Sequence, residues 1–334
     1  VLSAGNTAVI KPSENVKESS KLLNKLIPNY FSQEIITVIE GDKSISEELV
    51  KKKFDHIFFT GSTDSGKFIS KLASENLTSL TLELGGKNPA IILDNSNLEA
   101  ISRRLVWGKF LNSGQSCISP NHIFVKSSIK DELIKNIKQN IFSFYGKNLI
   151  ESESLSNLTQ NNFLKISNLL SLAKDKNQII FGGGIDKNLK KIEPTLIELT
   201  TISDSLMDEE IFGPLMPIIC FEDLDLLINT INKDAKPLAI YLFGGNEEDH
   251  QKIINKTSSG SLCINDTVLP VAIPNLPFGG IGESGIGRFH GEEGFKTFSN
   301  KKSVIRSPLW FDLRLRYPPY KNTISLLRKL LNIF

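Results

Sequence analysis

Short runs of apolar, β-branched residues alternate along the chain with stretches whose apolar positions recur every three or four residues. The runs fall at 35–39, 55–60, 80–84, 90–93, 122–125, 218–221 and 238–243, and the helical patterns at 16–26, 98–112, 130–144 and 163–173. This alternation predicts an α/β architecture built on mostly parallel sheets. No internal repeat of roughly 20 to 50 residues is present. The polar stretch 147–162 reads as a loop, and a domain boundary is expected near 83–89, where a strand pattern runs out into Gly85-Gly86. Seven glycines crowd into 274–294 and predict a long irregular segment of special turns. Ordered loops of that length usually shape a site.

Composition narrows the function classes. The 334 residues, 40% hydrophobic and 23% charged, suffice for two ordinary domains around a sizeable core. With 39 Lys and Arg against 37 Asp and Glu, and no run of five like charges, the chain lacks the electrostatic footprint of a nucleic-acid binder. A small-molecule substrate is the expectation. Cys117, Cys220 and Cys263 are too few and too scattered for a disulfide framework or a Cys-x-x-Cys metal site, which fits a reducing cytoplasm and no bound metal. No stretch is apolar for the ~18 residues a membrane span needs, and no charged n-region precedes an apolar core at Val1.

Several motifs carry candidate chemistry. The segment Gly61-Ser62-Thr-Asp-Ser-Gly66-Lys67 follows a strand and opens a helix, nearly spelling a triphosphatase phosphate loop, but Phe68 stands where a magnesium-binding hydroxyl belongs. What survives is a glycine-flanked helix N-terminus that attracts a phosphate or pyrophosphate, or else an ordinary strand-to-helix turn. The Gly280-x-Gly282-x-x-Gly285 pattern matches a dinucleotide fingerprint in spacing alone, because no strand precedes it and no acidic residue lies near position 305. Cys117 lies in the small, polar loop Asn112-Ser-Gly-Gln-Ser-Cys117-Ile-Ser-Pro120, which suits a reactive thiol as well as a structural one. Cys220 and Cys263 sit in strand patterns and are expected in the core. A papain-like hydrolase would need one of His56, His122, His250 and His290 beside Cys117, and none has a hydrolase context. Glu83 closes an apolar run and either faces solvent or, if buried, has the raised pKa of a general base.

Six segments occur together in one order: 5–14 (Gly-Asn-Thr-Ala-Val-Ile-Lys11-Pro-Ser-Glu14), Phe59-Thr60-Gly-Ser-Thr, Leu82-Glu-Leu-Gly-Gly-Lys87, Gly114-Gln-Ser-Cys117, Glu209-Glu-Ile-Phe-Gly-Pro214 and Pro277-Phe-Gly-Gly280. In this order and spacing the chain resembles the aldehyde dehydrogenase superfamily over nearly its whole length. Gly287-Arg-Phe-His290-Gly, Phe298-Ser and Leu315-Arg-Tyr-Pro-Pro319 are similar to the class-three, fatty aldehyde dehydrogenase branch, with Asn300 where that branch is expected to have His.

The resemblance implies NAD(P)-dependent oxidation of an aldehyde to a carboxylic acid, with NAD or NADP as cofactor. Cys117 would attack the aldehyde, its own amide serving as an oxyanion donor, and Glu83 would activate the water that hydrolyses the thioester. Lys11 and Glu14 would bind the adenosine ribose, Gly61, Ser62 and Gly66 the pyrophosphate, and Glu210 the nicotinamide ribose, while Phe212 and Phe278 would flank nicotinamide and aldehyde. Glu83 separates this chain from relatives that pass the acyl group to coenzyme A. The implied organisation is a partial Rossmann-like cofactor domain at 1–82, a catalytic domain at 83–290, and a return segment with oligomerisation strand and C-terminal helix at 291–334. The alternatives are a coenzyme A-acylating relative and a non-catalytic fragment or binding protein of the same fold.

The family also carries an oxyanion-hole Asn expected roughly two dozen residues before Lys11, where only ten residues stand, so the chain reads as N-terminally truncated. Losing one such donor costs about 10²- to 10³-fold in turnover in related chemistry. The short form is expected to fold or assemble weakly and a completed parent to be active, as a homodimer. At the other end, Leu327, Leu330, Leu331 and Phe334 share one helical face with Arg328 and Lys329 beside it. That face either docks on the protein or a partner subunit, or makes peripheral membrane contact. A helix there accompanies long-chain aldehydes in the class-three branch, which gives medium or long aliphatic aldehydes as a first expectation.

Overall fold

The computed structural model describes residues 1–312, 316–320, 324, 328–329 and 331–332. The chain divides into two units, Val1–Phe298 and Ser299–Phe334. The first unit runs β1 (Ala8–Ile10), α1 (Lys17–Leu26), β2 (Ile36–Val38), α2 (Lys43–Val50), β3 (His56–Thr60), α3 (Thr63–Ala73) and β4 (Ser79–Glu83). It continues with β5 (Pro89–Ile92), α4 (Leu98–Phe110), β6 (His122–Lys126), α5 (Lys130–Tyr145), α6 (Gln160–Asp175) and β7 (Ile179–Phe181). After the small hairpin β8 (Ile185–Asp186) and β9 (Lys191–Ile192) come β10 (Thr195–Leu199), β11 (Leu215–Phe221), α7 (Leu224–Lys233), β12 (Ala239–Phe243), α8 (Glu247–Lys256) and β13 (Ser261–Ile264). Finally α9 (Leu269–Ala272), β14 (Gly285–Ile286) and α10 (Gly291–Thr297) complete it.

The larger sheet has seven strands in the order β13-β12-β5-β6-β11-β10-β7, all parallel except β7 against β10. A parallel sheet is covered on both faces, and the period of two along each strand sends alternate side chains into two cores. Ala90 and Ile92, Ile123 and Val125, and Ala239 and Tyr241 enter one core with α4 and α5 residues such as Leu105 and Leu133. Ile91, Phe124, Ile240 and Leu242 enter the other with Ile166 and Leu170 of α6 and Ile231 of α7. Continuous apolar runs in the sequence therefore belong to strands buried on both sides. A three-stranded sheet, β14-β4-β3, stands apart, with β3 parallel and β14 antiparallel to β4.

The α/β architecture with parallel strands is as expected, and each expected strand run contains an element. The helix expected over 98–112 stops at Phe110, because Asn112 and Ser113 take left-handed conformations at φ 50° and 54°. Cys220 lies in β11 as expected but is exposed, since burial along that strand ends one residue earlier, at Ile219. The 274–294 segment is irregular as its glycines predict, relieved only by β14 and the start of α10. In the second unit, the Tyr317 hydroxyl donates to Asp312 at 3.1 Å. The apolar face expected at Leu327, Leu330, Leu331 and Phe334 lies outside the described residues except for Leu331, which is exposed. No helix among the described residues is long and apolar enough to cross a membrane.

One buried side chain ties the sheet to the loop that carries Cys117. Asn88, fully buried before β5, donates to the carbonyls of Cys117 at 2.8 Å and Ser119 at 3.0 Å and accepts the Ala239 amide at 2.9 Å. Truncation to Ala strands two carbonyls and an amide in a dry interior. Asn88→Ala should destabilise the chain by on the order of 3 kcal/mol in urea denaturation and quicken proteolysis within 111–121. An unchanged midpoint would show the loop to be held by other means.

Candidate active site

The Cys117 loop leaves α4 through three successive left-handed residues, Asn112, Ser113 and Gly114. A Cβ at Gly114 would lie 2.4 Å from the Gly213 carbonyl oxygen, so only glycine lets this turn sit against the 209–214 segment. Around the turn, Ser113 donates to the Ser156 carbonyl at 2.7 Å and Gln115 to the Asn157 carbonyl at 3.1 Å. The next turn, Ser116 to Ser119, is closed by a 3.0 Å backbone bond, and Tyr241 donates its hydroxyl to the Ile118 carbonyl. Cys117 is half-buried at its centre. Burial pushes its thiol up to about 11, helped by the nearby carboxylates of Glu210 and Glu83, while the backbone amides of Cys117 and Ile118 act in the opposite sense. At neutral pH the thiol is protonated until a proton acceptor or a change of charge assists it.

Glu83 occupies the last position of β4, held between Thr60 of β3 and Gly285 of β14. It is 3% exposed, and neither carboxylate oxygen has a hydrogen-bond partner. A solvent-facing strand end is therefore excluded. Burial raises Glu83 to about 7, with Arg288 pulling the other way. A carboxylate that titrates near neutrality with both oxygens free is the state a general base requires.

Glu210 is the third ionisable group of the cluster. Its Oε1 accepts the Gly86 amide at 3.1 Å, and a Cβ at Gly85 would lie 2.0 Å from its Oε2. The paired glycines after Glu83 thus make room for a carboxylate more than 120 residues further along the chain. Burial pushes Glu210 up, and the Gly86 amide, Lys165 and Lys109 restrain it. Its neighbour Glu209 instead faces outward and pairs with Lys165 at 2.6 Å. Lys109 of α4 is fully buried with an unpartnered Nζ, and burial lowers its ammonium pKa while Glu210 raises it. Asn121 accepts the Ile211 amide at 2.7 Å, fixing the 209–214 segment to the start of β6.

Of the remaining expected residues, Lys11 and Glu14 form one group and Gly61, Ser62 and Gly66 another, with Phe212 and Phe278 apart from both. Lys11 and Glu14 pair at 3.1 Å, and Glu14 lines a cavity of about 250 Å³ with Pro12, Ser13, Lys17, Ser20, Glu40, Gly41 and Asp42. Ser62 caps α3, accepting the Ser65 amide, while Gly61 donates its own amide to the Glu83 carbonyl at 3.0 Å. A Cβ at Gly61 would strike the Phe59 ring of the preceding strand, and one at Gly66 would strike Leu84, so Gly66 serves the close approach of α3 to the sheet. Phe212 is half-buried beside Glu210 in sequence. Phe278 is 3% exposed, stacked on His290 at 5.7 Å and edge-on to Phe289. The 280–285 glycine pattern forms a tight turn closed by Ser284 and opens no helix.

Sequence reasoning passed over Asn88, Asn121, Lys109 and Arg288. Asn88 directly follows Gly85-Gly86-Lys87, so a polar residue at the mouth of an apolar strand was the available signal. Arg288 stands in the Gly287-Arg-Phe-His290 segment, which carried no role for it, and nothing local distinguishes Asn121 and Lys109 from surface residues. No cluster of His, Cys, Asp and Glu suited to a metal occurs among the described residues.

Residues 1–304 match the sequence profile described as the aldehyde dehydrogenase family. The chain is 40% identical over 328 residues to 4,4'-diaponeurosporen-aldehyde dehydrogenase of Staphylococcus aureus, covering 98% of this chain and 71% of that protein. It is also 40% identical over 321 residues to the dimeric NADP-preferring aldehyde dehydrogenase of Mus musculus, covering 95% of this chain and 70% of that one. Its structure superposes on the substrate-bound state of Staphylococcus aureus AldH with a TM-score of 0.91 at 39% identity, covering 98% of this chain and 71% of that one.

The charges around the thiol can be read directly. Glu210→Gln removes a carboxylate that raises Cys117, so the thiol should ionise at lower pH. Alkylation of Cys117 by iodoacetamide, followed by mass spectrometry, should be a few-fold faster at neutral pH in this variant. An equal rate would rule out the coupling.

Proposed function

The chain belongs to the aldehyde dehydrogenase family, and from that premise we propose that it oxidises an aldehyde to the acid through a covalent adduct on Cys117 that Glu83 helps to hydrolyse. The observation that carries this reading is Glu83 itself: a buried carboxylate with two unpartnered oxygens, close enough to Cys117 for its charge to raise the thiol. The Cys117 sulfur adds to the carbonyl carbon, its proton leaving to a nearby base, and the C=O pair becomes an oxyanion. Backbone amides at Cys117 and Ile118, which already act on the sulfur, are this chain's donors to negative charge there. A nicotinamide dinucleotide, NAD or NADP, supplies the acceptor for the hydride that the adduct loses in becoming a thioester. Glu83 then takes a proton from water as the water oxygen attacks the thioester carbon. The C–S bond breaks, and the acid departs. A base placed to activate water favours hydrolysis over acyl transfer to coenzyme A.

The residues present fit such a dinucleotide. The cavity beside Glu14 has room for the adenosine portion, with Glu14 in its wall and Lys11 paired to Glu14. The capped N-terminus of α3, flanked by Gly61 and Gly66, suits a pyrophosphate, and Glu210, held by Gly86, suits a ribose hydroxyl. Phe212 and Phe278 would then bound the space for nicotinamide and aldehyde. A medium or long aliphatic substrate, a homodimer and a cytoplasmic or membrane-peripheral setting complete the proposal. The relative named for 4,4'-diaponeurosporen-aldehyde supports the substrate class, and the dimeric NADP-preferring relative supports dimerisation and the use of NADP.

Formation of NADH or NADPH with a panel of aldehydes is the decisive measurement. Cys117→Ala should abolish it, and Glu83→Gln should leave an acylation burst while slowing steady turnover by about 10²- to 10⁴-fold. Because Glu83 is raised to about 7 and acts only when ionised, turnover should climb as pH rises through about 7 and lose that limb in Glu83→Gln. A well-folded chain that reduces neither cofactor would overturn the reading.

A further inference from the structure

The reading of Glu83 as base leaves open what keeps a buried, unpartnered carboxylate ionised. The cation whose field reaches it is Arg288, in the turn between β14 and α10. β14 pairs antiparallel with β4, placing Gly285 opposite Glu83 and bringing that turn alongside. The point where a Gly279 Cβ would lie is 2.9 Å from Glu83 Oε1 and 3.1 Å from Arg288 Nη1, so the two atoms are no more than 6.0 Å apart. They are not hydrogen-bonded to each other. Nη1 is instead committed to two carbonyls of its own loop, Gly280 and, at 3.2 Å, Gly287.

We propose that Arg288 is the positioning residue for the base: anchored on two loop carbonyls, it holds a positive charge beside Glu83 without occupying either carboxylate oxygen. A direct ion pair would fill the lone pairs that water needs and drive the carboxylate's proton affinity too low for base work. With no cation at all, burial alone would leave the group protonated at neutral pH. The offset geometry avoids both. From the elements packed around it, the ionisable groups coupled to Glu83 are Arg288, after β14, and Cys117, before β6. Glu210 acts on Cys117, and Lys109 acts on Glu210. Gly279 is part of the arrangement, because any side chain there would enter the gap between base and cation.

This inference rests on the proposed role of Glu83, and the test separates the two. An activated aryl ester acylates a thiol without hydride transfer, so its steady release after the burst reports thioester hydrolysis alone, with no dinucleotide present. In Arg288→Met the acid limb of that steady rate should move upward by on the order of one pH unit, which is about a fivefold loss at pH 7 that disappears by about pH 9. Arg288→Lys should restore the limb. Arg288→Gln, which keeps a donor for the loop carbonyls but not the charge, should behave like Arg288→Met, and it carries the test if the Met variant does not fold. A limb that stays in place in a normally melting variant overturns the proposal. So does a loss equal at every pH that Lys fails to restore, since that is the signature of a merely structural role. If Glu83→Gln leaves both rate and limb unaltered, Glu83 is not the base and the inference falls with that reading. If Glu83→Gln removes the limb while Arg288→Gln does not move it, only the role of Arg288 fails.

Discussion

Desolvation of charge is the constraint on which the rest of the site depends. Glu83, Glu210, Lys109 and Cys117 are all drawn out of water, and burial is the largest influence on each of them. In water these groups would be two carboxylates, an ammonium and a mostly protonated thiol, each screened from neighbours beyond about 8 to 10 Å. Inside the protein their proton affinities converge toward neutrality for the carboxylates and the lysine, and rise for the thiol. Small changes of local charge then redistribute protons among them.

The fold supports this by rigid means. The Cys117 loop is fixed by Asn88, by Tyr241 and by the glycine contact at Gly114, so the thiol's position follows from β5, β12 and the segment before β11. Glu83 is fixed by strand pairing on both sides. Cys117 and Glu83 thus hang from different sheets, and their relation is set by the short connection Leu84 to Asn88, which also admits Glu210 through Gly85 and Gly86. Glycine at these positions is demanded by volume more than by backbone freedom.

What the sequence discloses of this varies with the range of the interaction that each residue serves. Parallel strands announce themselves, because a strand buried on both faces has an unbroken apolar run, and the runs at 90–93, 122–125 and 238–243 correspond to β5, β6 and β12. Cys117 was recognisable as a thiol in polar company and Glu83 as an acid in apolar company, but one residue in isolation does not say whether it is buried. The resemblance across six ordered motifs joined them. Arg288 and Lys109 escaped because their significance is a distance to a group on another element, and α2 escaped because a helix of eight residues offers little more than two turns of periodicity. Cys220 looked like core because strand membership is local, whereas exposure depends on where the covering helices stop.

The pairing of Gly285 with Glu83 joins points 202 residues apart in the chain. Contacts of such separation form late, since the intervening chain must first be ordered, and during synthesis they wait for the C-terminal third to emerge. A nascent chain ending at residue 270 would already have the strands that flank the Cys117 loop, yet its β4 would lack β14 and present Glu83 at an open sheet edge. The setting of the thiol and the enclosure of Glu83 are therefore acquired at different moments of biogenesis, and the enclosure arrives last.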